Sequence, residues 1–256
     1  MHELLAENAH NLTNLVPPPS PDGPFALFLD LDGTLIPIAD RPDAVVVPDA
    51  LPLLLARLAE RLDGRLAIIS GRSLATIDSL LGLGMIAASG SHGLELRNTD
   101  GTITAVTRPD TLDEALCELE VFAGQRPGML VERKPLGVGI HYRGAPEQAD
   151  EAEQLVECLA SIHRLKVQRG KMVFELRPRG ADKGTALRRF MDDPVFAGAL
   201  PWFVGDDVTD EPAFIAARDL GGGAVLVGEA RPTAATYRLP DVDAVHAWLD
   251  AMDQAK

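Results

Sequence analysis

Two aspartates spaced two positions apart are the first residues whose types suggest chemistry. Asp30 and Asp32 follow residues 25–29, a continuous apolar run typical of a strand that is buried on both faces, as in a parallel sheet. In open α/β sheets, ligand-binding and catalytic residues lie at the carboxyl ends of the strands. Two acids there repel each other unless a cation lies between them. The alternative is a β-hairpin turning at Asp32-Gly33, which is disfavoured because Pro37 is a poor ladder partner.

Two other segments carry residues that could bind an anion at the same edge. Residues 66–69 predict a second buried strand that ends at Ser70, where a hydroxyl and a following helix N-terminus can hold an anion. An ordinary capped β–α turn also explains those residues, and taken alone they favour that explanation. Lys183 falls in the first turn of a helix that Asp182 can cap. A positive charge at a helix N-terminus interacts unfavourably with the helix dipole. Lys183 therefore either binds an anion or is exposed to solvent.

A cluster of acids follows the next predicted buried strand, residues 201–204. Asp210 can cap the helix that carries Pro212 in its first turn, which would be a structural use. Asp206 and Asp207 have no such predicted use and would repel each other without a cation. The cluster therefore adds to the expectation of a divalent cation site.

The apolar pattern changes between Ser70 and Lys183. Strands there are predicted to alternate, as in a sheet with one exposed face, with two helices between them. We therefore expect an α+β module inserted at residues 98–178 into a doubly wound α/β core formed by residues 25–97 and 179–256. Residues 1–24 are expected to form an N-terminal arm. The predicted strands of the module are 102–107, 129–133, 136–143, 165–168 and 172–177, and its helices are about 110–124 and 146–162.

One face of the module's strands combines both charge signs. A solvated sheet face would explain this pattern. However, Gly137 and Gly139 lie on the same predicted face, and glycines in a strand often mark the close approach of a ligand. A binding face is therefore the second interpretation. The charged or polar residues that share the face are Glu132, Lys134, His141, Arg143 and Glu175.

Composition and charge exclude several classes of partner. The formal net charge of −14 argues against nucleic acid and anionic membrane surfaces. It also means that a phosphate ester would need positive charge concentrated at its site. No apolar run reaches membrane-spanning length, and Cys117 and Cys158 fit reduced packing residues. We expect a cytoplasmic protein.

The order of these residues resembles the motifs of the haloacid dehalogenase-like phosphohydrolases. Asp30-x-Asp32, Ser70, Lys183 and Asp206-Asp207 occur in the order of the four motifs of that superfamily. Each suits one job in phosphoryl transfer: nucleophile, acid, phosphoryl binding and metal binding. The inserted module lies where the C2-type cap of that superfamily sits.

Three segments resemble the trehalose-6-phosphate phosphatases in particular: residues 132–143, residues 171–178 and the Gly-Asp-Asp-Val-Thr-Asp-Glu string at 205–211. Residues 89–95 are also similar to the connection between core and cap in that family. The resemblance implies Mg²⁺-dependent hydrolysis of trehalose 6-phosphate to trehalose and phosphate. It implies that Asp30 is the nucleophile, which forms an aspartyl-phosphate. Asp32 would protonate the leaving sugar oxygen and then activate water.

The resemblance also implies roles for the remaining residues. Ser70 and Lys183 would bind the phosphoryl group, with Arg72 assisting. Mg²⁺ would be held by the Asp30 carboxylate, the Asp32 backbone carbonyl and Asp206. Asp207 and Asp210 would support them. On the cap, the residues expected to bind the sugar are Glu132, Lys134, His141, Arg143 and Glu175.

Two alternatives stay open from the sequence. One is another sugar-phosphate phosphatase of the same superfamily, such as a sucrose-phosphate phosphatase. The other is a catalytically silent sugar-phosphate sensor, which would be expected to lack Asp30, Asp32 or Lys183; all three are present. We expect a monomer with a small-molecule substrate, and association with the trehalose-phosphate synthase stays open.

Overall fold

The computed structural model describes residues 15–38, 45–170 and 172–254. They form two compact units. One unit contains the described residues up to Thr104 and from Asp182 onward, and the other contains Ala105–Ala181. The predicted N-terminal arm lies outside the described residues up to position 14, as does Lys171. Within the described part of the arm, Val16 forms a parallel bridge with Tyr237.

The larger unit is built on an eight-stranded sheet. The order across the sheet is β12-β11-β10-β1-β2-β3-β4-β5. The pairs from β12 to β3 are parallel, and β3 pairs with β4 in the antiparallel sense. The strands are β1 (Phe25–Leu29), β2 (Leu66–Ile69), β3 (Ala87–Gly90), β4 (Glu95–Arg97), β5 (Ile103–Ala105), β10 (Leu200–Gly205), β11 (Gly223–Val227) and β12 (Tyr237–Leu239).

Helices cover both faces of this sheet, and β1 shows why its sequence is apolar throughout. Leu27 and Leu29 join the hydrophobic cluster that contains α1, α2 and α7. Ala26 and Phe28 join the opposite cluster, which contains α5 and α6. Both faces of β1 are therefore buried, and the predicted doubly wound α/β core is confirmed. The helices are α1 (Ala50–Arg61), α2 (Leu74–Leu81), α5 (Lys183–Met191), α6 (Glu211–Asp219) and α7 (Val242–Gln254).

One strand belongs to a different sheet from the one expected. The sequence pattern assigned residues 102–107 to the inserted module, whereas β5 lies at the edge of the larger sheet, beside β4. A tight turn joins β4 and β5, in which Asn98 N donates to Thr102 O and Gly101 N donates to Asn98 O. Alternation of polar and apolar residues identifies a strand but not its partner, so the error could not be seen from the sequence.

The smaller unit is an antiparallel sheet with two helices. The strand order is β6-β7-β9-β8. Val138, Ile140, Phe174 and Leu176 pack with both helices into one hydrophobic cluster, which confirms the predicted alternation. The opposite face therefore carries the glycines and charged residues. The elements are α3 (Thr111–Gly124), β6 (Leu130–Lys134), β7 (Gly137–His141), α4 (Ala149–Ile162), β8 (Lys166–Gly170) and β9 (Val173–Arg177).

Every helix within the described ranges is too short or too polar to span a lipid bilayer.

Candidate active site

The carboxyl edge of the parallel sheet brings a lysine between two acids. Asp30 follows β1, Lys183 is the first residue of α5, and Asp210 lies in the loop after β10. All three side chains are buried. Lys183 Nζ lies 2.7 Å from Asp30 Oδ1 and 2.7 Å from Asp210 Oδ1. These three residues lie far apart in the sequence, with separations between 27 and 180 positions, and they meet at one point of the sheet edge.

Local backbone structure sets these positions. Leu29 pairs with Val204 of β10 and with Ile68 of β2, so the ends of the three strands are level. At α5, Asp182 Oδ1 accepts from Thr185 N at 2.7 Å, and Asp182 N donates to Thr185 Oγ1 at 2.9 Å. The predicted cap is confirmed. Because Asp182 ends the preceding segment, Lys183 lies in the first turn and faces the acids.

The sequence predicts that Asp210 caps α6, and this prediction is wrong, because its side chain makes no capping hydrogen bond to that helix. Its Oδ2 accepts from the backbone N–H groups of Asp206 at 3.0 Å and Asp207 at 2.9 Å. Asp207 also has a structural use that was not expected, because its Oδ1 accepts from Val208 N at 2.7 Å. The Asp207 carboxylate thus caps the short turn Val208–Asp210, and Asp210 organises the acidic loop from within.

The residues at this edge fit a hard divalent cation. Asp30, Asp206 and Asp210 each offer a carboxylate oxygen, and these atoms all lie within 4.8 Å of one another. Asp206 Oδ1 is buried and has no hydrogen-bond partner among the described residues. Gly33 adopts a φ of +81°, and a Cβ at this position would collide with the Asp206 carboxylate. Carboxylate oxygens are the ligands that Mg²⁺ prefers, so the donor set suits that ion.

The cluster contains more acids than bases, and burial together with this imbalance shifts the pKa values of its members. Burial raises the pKa of Asp30 well above its ordinary value, although Lys183 acts in the opposite direction. Burial, with Asp210 next in importance, raises the pKa of Asp206 to about 7. Burial would lower the pKa of Lys183, but Asp210 and Asp30 outweigh it and the pKa is raised. A bound cation would relieve the remaining repulsion between the carboxylates.

Asp32 and Ser70 are linked through Arg72. Arg72 Nε donates to Asp32 Oδ2 at 2.6 Å, and Nη2 donates to Asp32 Oδ1 at 2.7 Å. Arg72 N donates to Ser70 Oγ at 3.2 Å. Ser70 is buried at the end of β2, whereas the Asp32 side chain is one-third exposed. The resemblance implied that Arg72 assists in binding the phosphoryl group. In this structure Arg72 makes a bidentate contact with the carboxylate of Asp32.

The segment after β3 supports this turn with unusual backbone angles. Ser91 and His92 both have positive φ, at 51° and 55°. Ser91 N donates to Arg72 O at 2.8 Å, and His92 N donates to Ser70 O at 3.0 Å. Residues held in the left-handed region carry strain that the surrounding structure must offset. The segment that resembles the core-to-cap connection therefore also fixes the backbone of Ser70 and Arg72.

The charged face of the smaller unit is a compact cluster. His141 Nε2 lies 2.9 Å from Glu132 Oε2, and Lys134 Nζ lies 3.9 Å from the same oxygen. Lys134 also forms an ion pair with Glu175, whose side chain is 9% exposed. Four of the five predicted sugar-binding residues thus lie together. Arg143 lies two residues beyond β7, in an exposed loop.

Solved structures of other proteins share this fold. The C-terminal domain of trehalose-6-phosphate phosphatase from Candida albicans matches with a TM-score of 0.81 and 23% identity, over 95% of this chain and 99% of that one. A haloacid dehalogenase-like hydrolase from Bacteroides thetaiotaomicron matches with a TM-score of 0.65 and 17% identity, over 89% and 99%. The fold is that of the haloacid dehalogenase-like hydrolases.

Sequence comparison identifies the family to which this chain belongs. The profile of the trehalose-phosphatase family matches residues 28–243. The trehalose-6-phosphate phosphatase of Escherichia coli strain K12 is 39% identical over 233 residues, which cover 90% of this chain and 87% of that protein. This chain belongs to the trehalose-phosphatase family.

Proposed function

We propose that this chain hydrolyses trehalose 6-phosphate to trehalose and inorganic phosphate, with Mg²⁺ as cofactor. Membership of the trehalose-phosphatase family supports the substrate and the reaction. The observation that carries the proposal is the position of Lys183, 2.7 Å from both Asp30 and Asp210 in a cluster that also contains Asp206. This arrangement supplies a carboxylate nucleophile, a phosphoryl-binding cation and metal ligands at one sheet edge.

In the proposed reaction, an oxygen of the Asp30 carboxylate attacks phosphorus, and the bond from phosphorus to the sugar oxygen breaks. Asp32 donates a proton to that leaving oxygen, which releases trehalose and leaves an aspartyl-phosphate on Asp30. Asp32 then removes a proton from the water that attacks phosphorus, which returns Asp30 and releases phosphate. Arg72 contacts both oxygens of Asp32 and therefore fixes the orientation of the carboxyl group that exchanges this proton.

The other core residues bind and orient the phosphoryl group. Lys183 and the hydroxyl of Ser70 are proposed to donate to its oxygens. The Asp30 carboxylate, the Asp32 backbone carbonyl and Asp206 are the proposed metal ligands, supported by Asp207 and Asp210. A bound Mg²⁺ would neutralise part of the charge on the phosphoryl oxygens as a Lewis acid.

The charged face of the smaller unit is the proposed site of sugar recognition, with that unit, Ala105–Ala181, acting as a C2-type cap. Sugar hydroxyls both donate and accept hydrogen bonds. Glu132 and Glu175 offer acceptors, and Lys134 offers a donor, in a cluster held together by ion pairs. His141 and Arg143 complete the proposed set. We also propose that the protein acts as a cytoplasmic monomer.

A phosphate-release assay across a panel of sugar phosphates tests the function. The purified chain is incubated with trehalose 6-phosphate, sucrose 6-phosphate and glucose 6-phosphate, each in Mg²⁺ and in EDTA. We expect Mg²⁺-dependent release with a clear preference for trehalose 6-phosphate. Preference for another ester would identify a different sugar-phosphate phosphatase. Tight binding of trehalose 6-phosphate without release would identify a sensor.

A further inference from the structure

Arg231 contacts the acidic loop from outside the cluster of acids. It lies in the segment between β11 and β12, and sequence analysis did not single it out because it belongs to no motif. Its Nη2 donates to the carbonyl oxygen of Asp207 at 2.7 Å and to that of Asp206 at 3.4 Å. Its Nη1 forms an ion pair with Glu211 and donates to Pro232 O at 3.1 Å.

The peptide groups of Asp206 and Asp207 are therefore held from both sides. Their N–H groups donate to the buried carboxylate of Asp210, at 3.0 and 2.9 Å. Their C=O groups accept from the guanidinium of Arg231. Glu211 anchors the outer side, because its second oxygen, Oε2, accepts from Ala234 N at 2.7 Å. Two loops that follow neighbouring strands are thus tied together around one arginine.

We propose that Arg231 is a positioning residue that keeps Asp206 in the conformation in which it can bind a divalent cation together with Asp30, beside the supporting Asp210. This inference rests on the metal role proposed above for those acids. A planar guanidinium can serve several acceptors in fixed directions, which the point charge of a lysine cannot do. Groups that orient the ligands of a metal commonly affect its affinity about 10–100-fold.

Charge and geometry predict opposite effects, which makes the proposal testable. Arg231 is positively charged and repels other cations. On charge alone, its removal would therefore strengthen the binding of a divalent metal ion near the same loop. If Arg231 acts by holding the loop, its removal weakens cation binding. Arg231→Lys keeps the charge and loses the two-carbonyl contact, and Arg231→Gln loses both.

The first measurement is Mn²⁺ binding by electron paramagnetic resonance, without substrate. We expect Arg231→Lys and Arg231→Gln each to raise the dissociation constant about tenfold. Arg218→Gln is the matched control, because Arg218 Nη1 donates to Ala234 O at 2.9 Å in the same segment. That variant should bind Mn²⁺ as the unsubstituted protein does. Unchanged binding in Arg231→Lys together with tighter binding in Arg231→Gln would overturn the proposal.

The second measurement is phosphate release as a function of Mg²⁺ concentration. The Arg231 variants should need more Mg²⁺, but kcat and KM for trehalose 6-phosphate should return near normal at saturating Mg²⁺. A loss of kcat that saturating Mg²⁺ does not restore would contradict a positioning role.

If Arg231→Gln fails to fold, Glu211→Gln loosens the same arginine and should raise the Mn²⁺ dissociation constant by a smaller factor. Absence of Mn²⁺ binding in the unsubstituted protein would overturn the metal role itself, whereas equal binding in all variants would overturn only the role of Arg231.

Discussion

Lys183 and Asp210 form a buried ion pair at the carboxyl edge of the sheet. Lys183 Nζ lies 2.7 Å from Asp210 Oδ1, and the two side chains are 3% and 0% exposed. The other oxygen of Asp210 accepts from the N–H groups of Asp206 and Asp207. The same carboxylate therefore stabilises the fold of the acidic loop and sets the position of the proposed phosphoryl-binding lysine.

Asp210→Ala should destabilise the protein strongly. Breaking a buried ion pair from one side typically costs 3–5 kcal/mol. We expect about 3 kcal/mol, because relief of repulsion with Asp30 and Asp206 offsets part of the loss. Urea unfolding in EDTA at pH 7 measures the effect. Asp207→Ala is the control, since it removes one local cap and should cost about 1 kcal/mol. Equal stability of the two variants would contradict this account of Asp210.

Asp30→Asn should abolish turnover while the protein stays folded. An amide cannot replace the charged carboxylate that is proposed to attack phosphorus. The fold should survive because Lys183 retains Asp210 as a partner and one member of a crowded group of acids becomes neutral. Phosphate release and thermal unfolding are measured on the same preparation. Near-normal release from a well-folded variant would show that Asp30 is not the nucleophile.

Mg²⁺ should both activate and stabilise the protein. Activity should disappear in EDTA and return when Mg²⁺ is added in excess. A ligand that binds only the folded state raises its stability, so Mg²⁺ should also raise the unfolding temperature. Asp206→Asn should reduce that rise, because Asp206 belongs to the cluster that suits the ion. Full activity in thoroughly chelated buffer would be incompatible with the proposed cofactor.

Glu132→Ala and Glu175→Ala should impair catalysis on trehalose 6-phosphate selectively. Each would lose a proposed charged hydrogen bond to the sugar worth about 1.5–3 kcal/mol, which corresponds to roughly tenfold to a hundredfold in kcat/KM. Their effect on p-nitrophenyl phosphate should be slight, since that ester has no hydroxyls for the charged face to bind.

Arg133→Ala is the matched control for the two glutamates. Arg133 neighbours Glu132 on β6 but is 62% exposed and contacts Asp113, so it should leave both substrates unaffected. Both substrates are assayed on all three variants. If either glutamate variant lost the same factor on both esters, that glutamate would support the unit's structure and the sugar would be recognised elsewhere.

The apolar pattern along the chain is sufficient to predict the core strands and the polar residues at their ends. Residues 25–29 and 66–69 are continuously apolar because helices cover both faces of the sheet, and the structure has strands with the same bounds. Strand ends are then marked by Asp30 and Ser70. The alternating pattern of the smaller unit likewise placed Val138 and Ile140 on the core face. Both signals arise from burial along one segment, which is local in sequence.

The contacts between polar groups depend on how the strands and helices pack. The sequence pattern does not assign β5 to the larger sheet. It predicts a capping role for Asp210, whereas the structure shows Asp210 bonded to Lys183 and to the acidic loop. The sequence pattern also does not show that Arg231 contacts carbonyl groups 24 and 25 positions earlier in the chain. Hydrogen bonds and ion pairs depend on distances of a few ångströms between side chains from different elements. Periodicity carries no information on those distances, which are set when the strands and helices pack together.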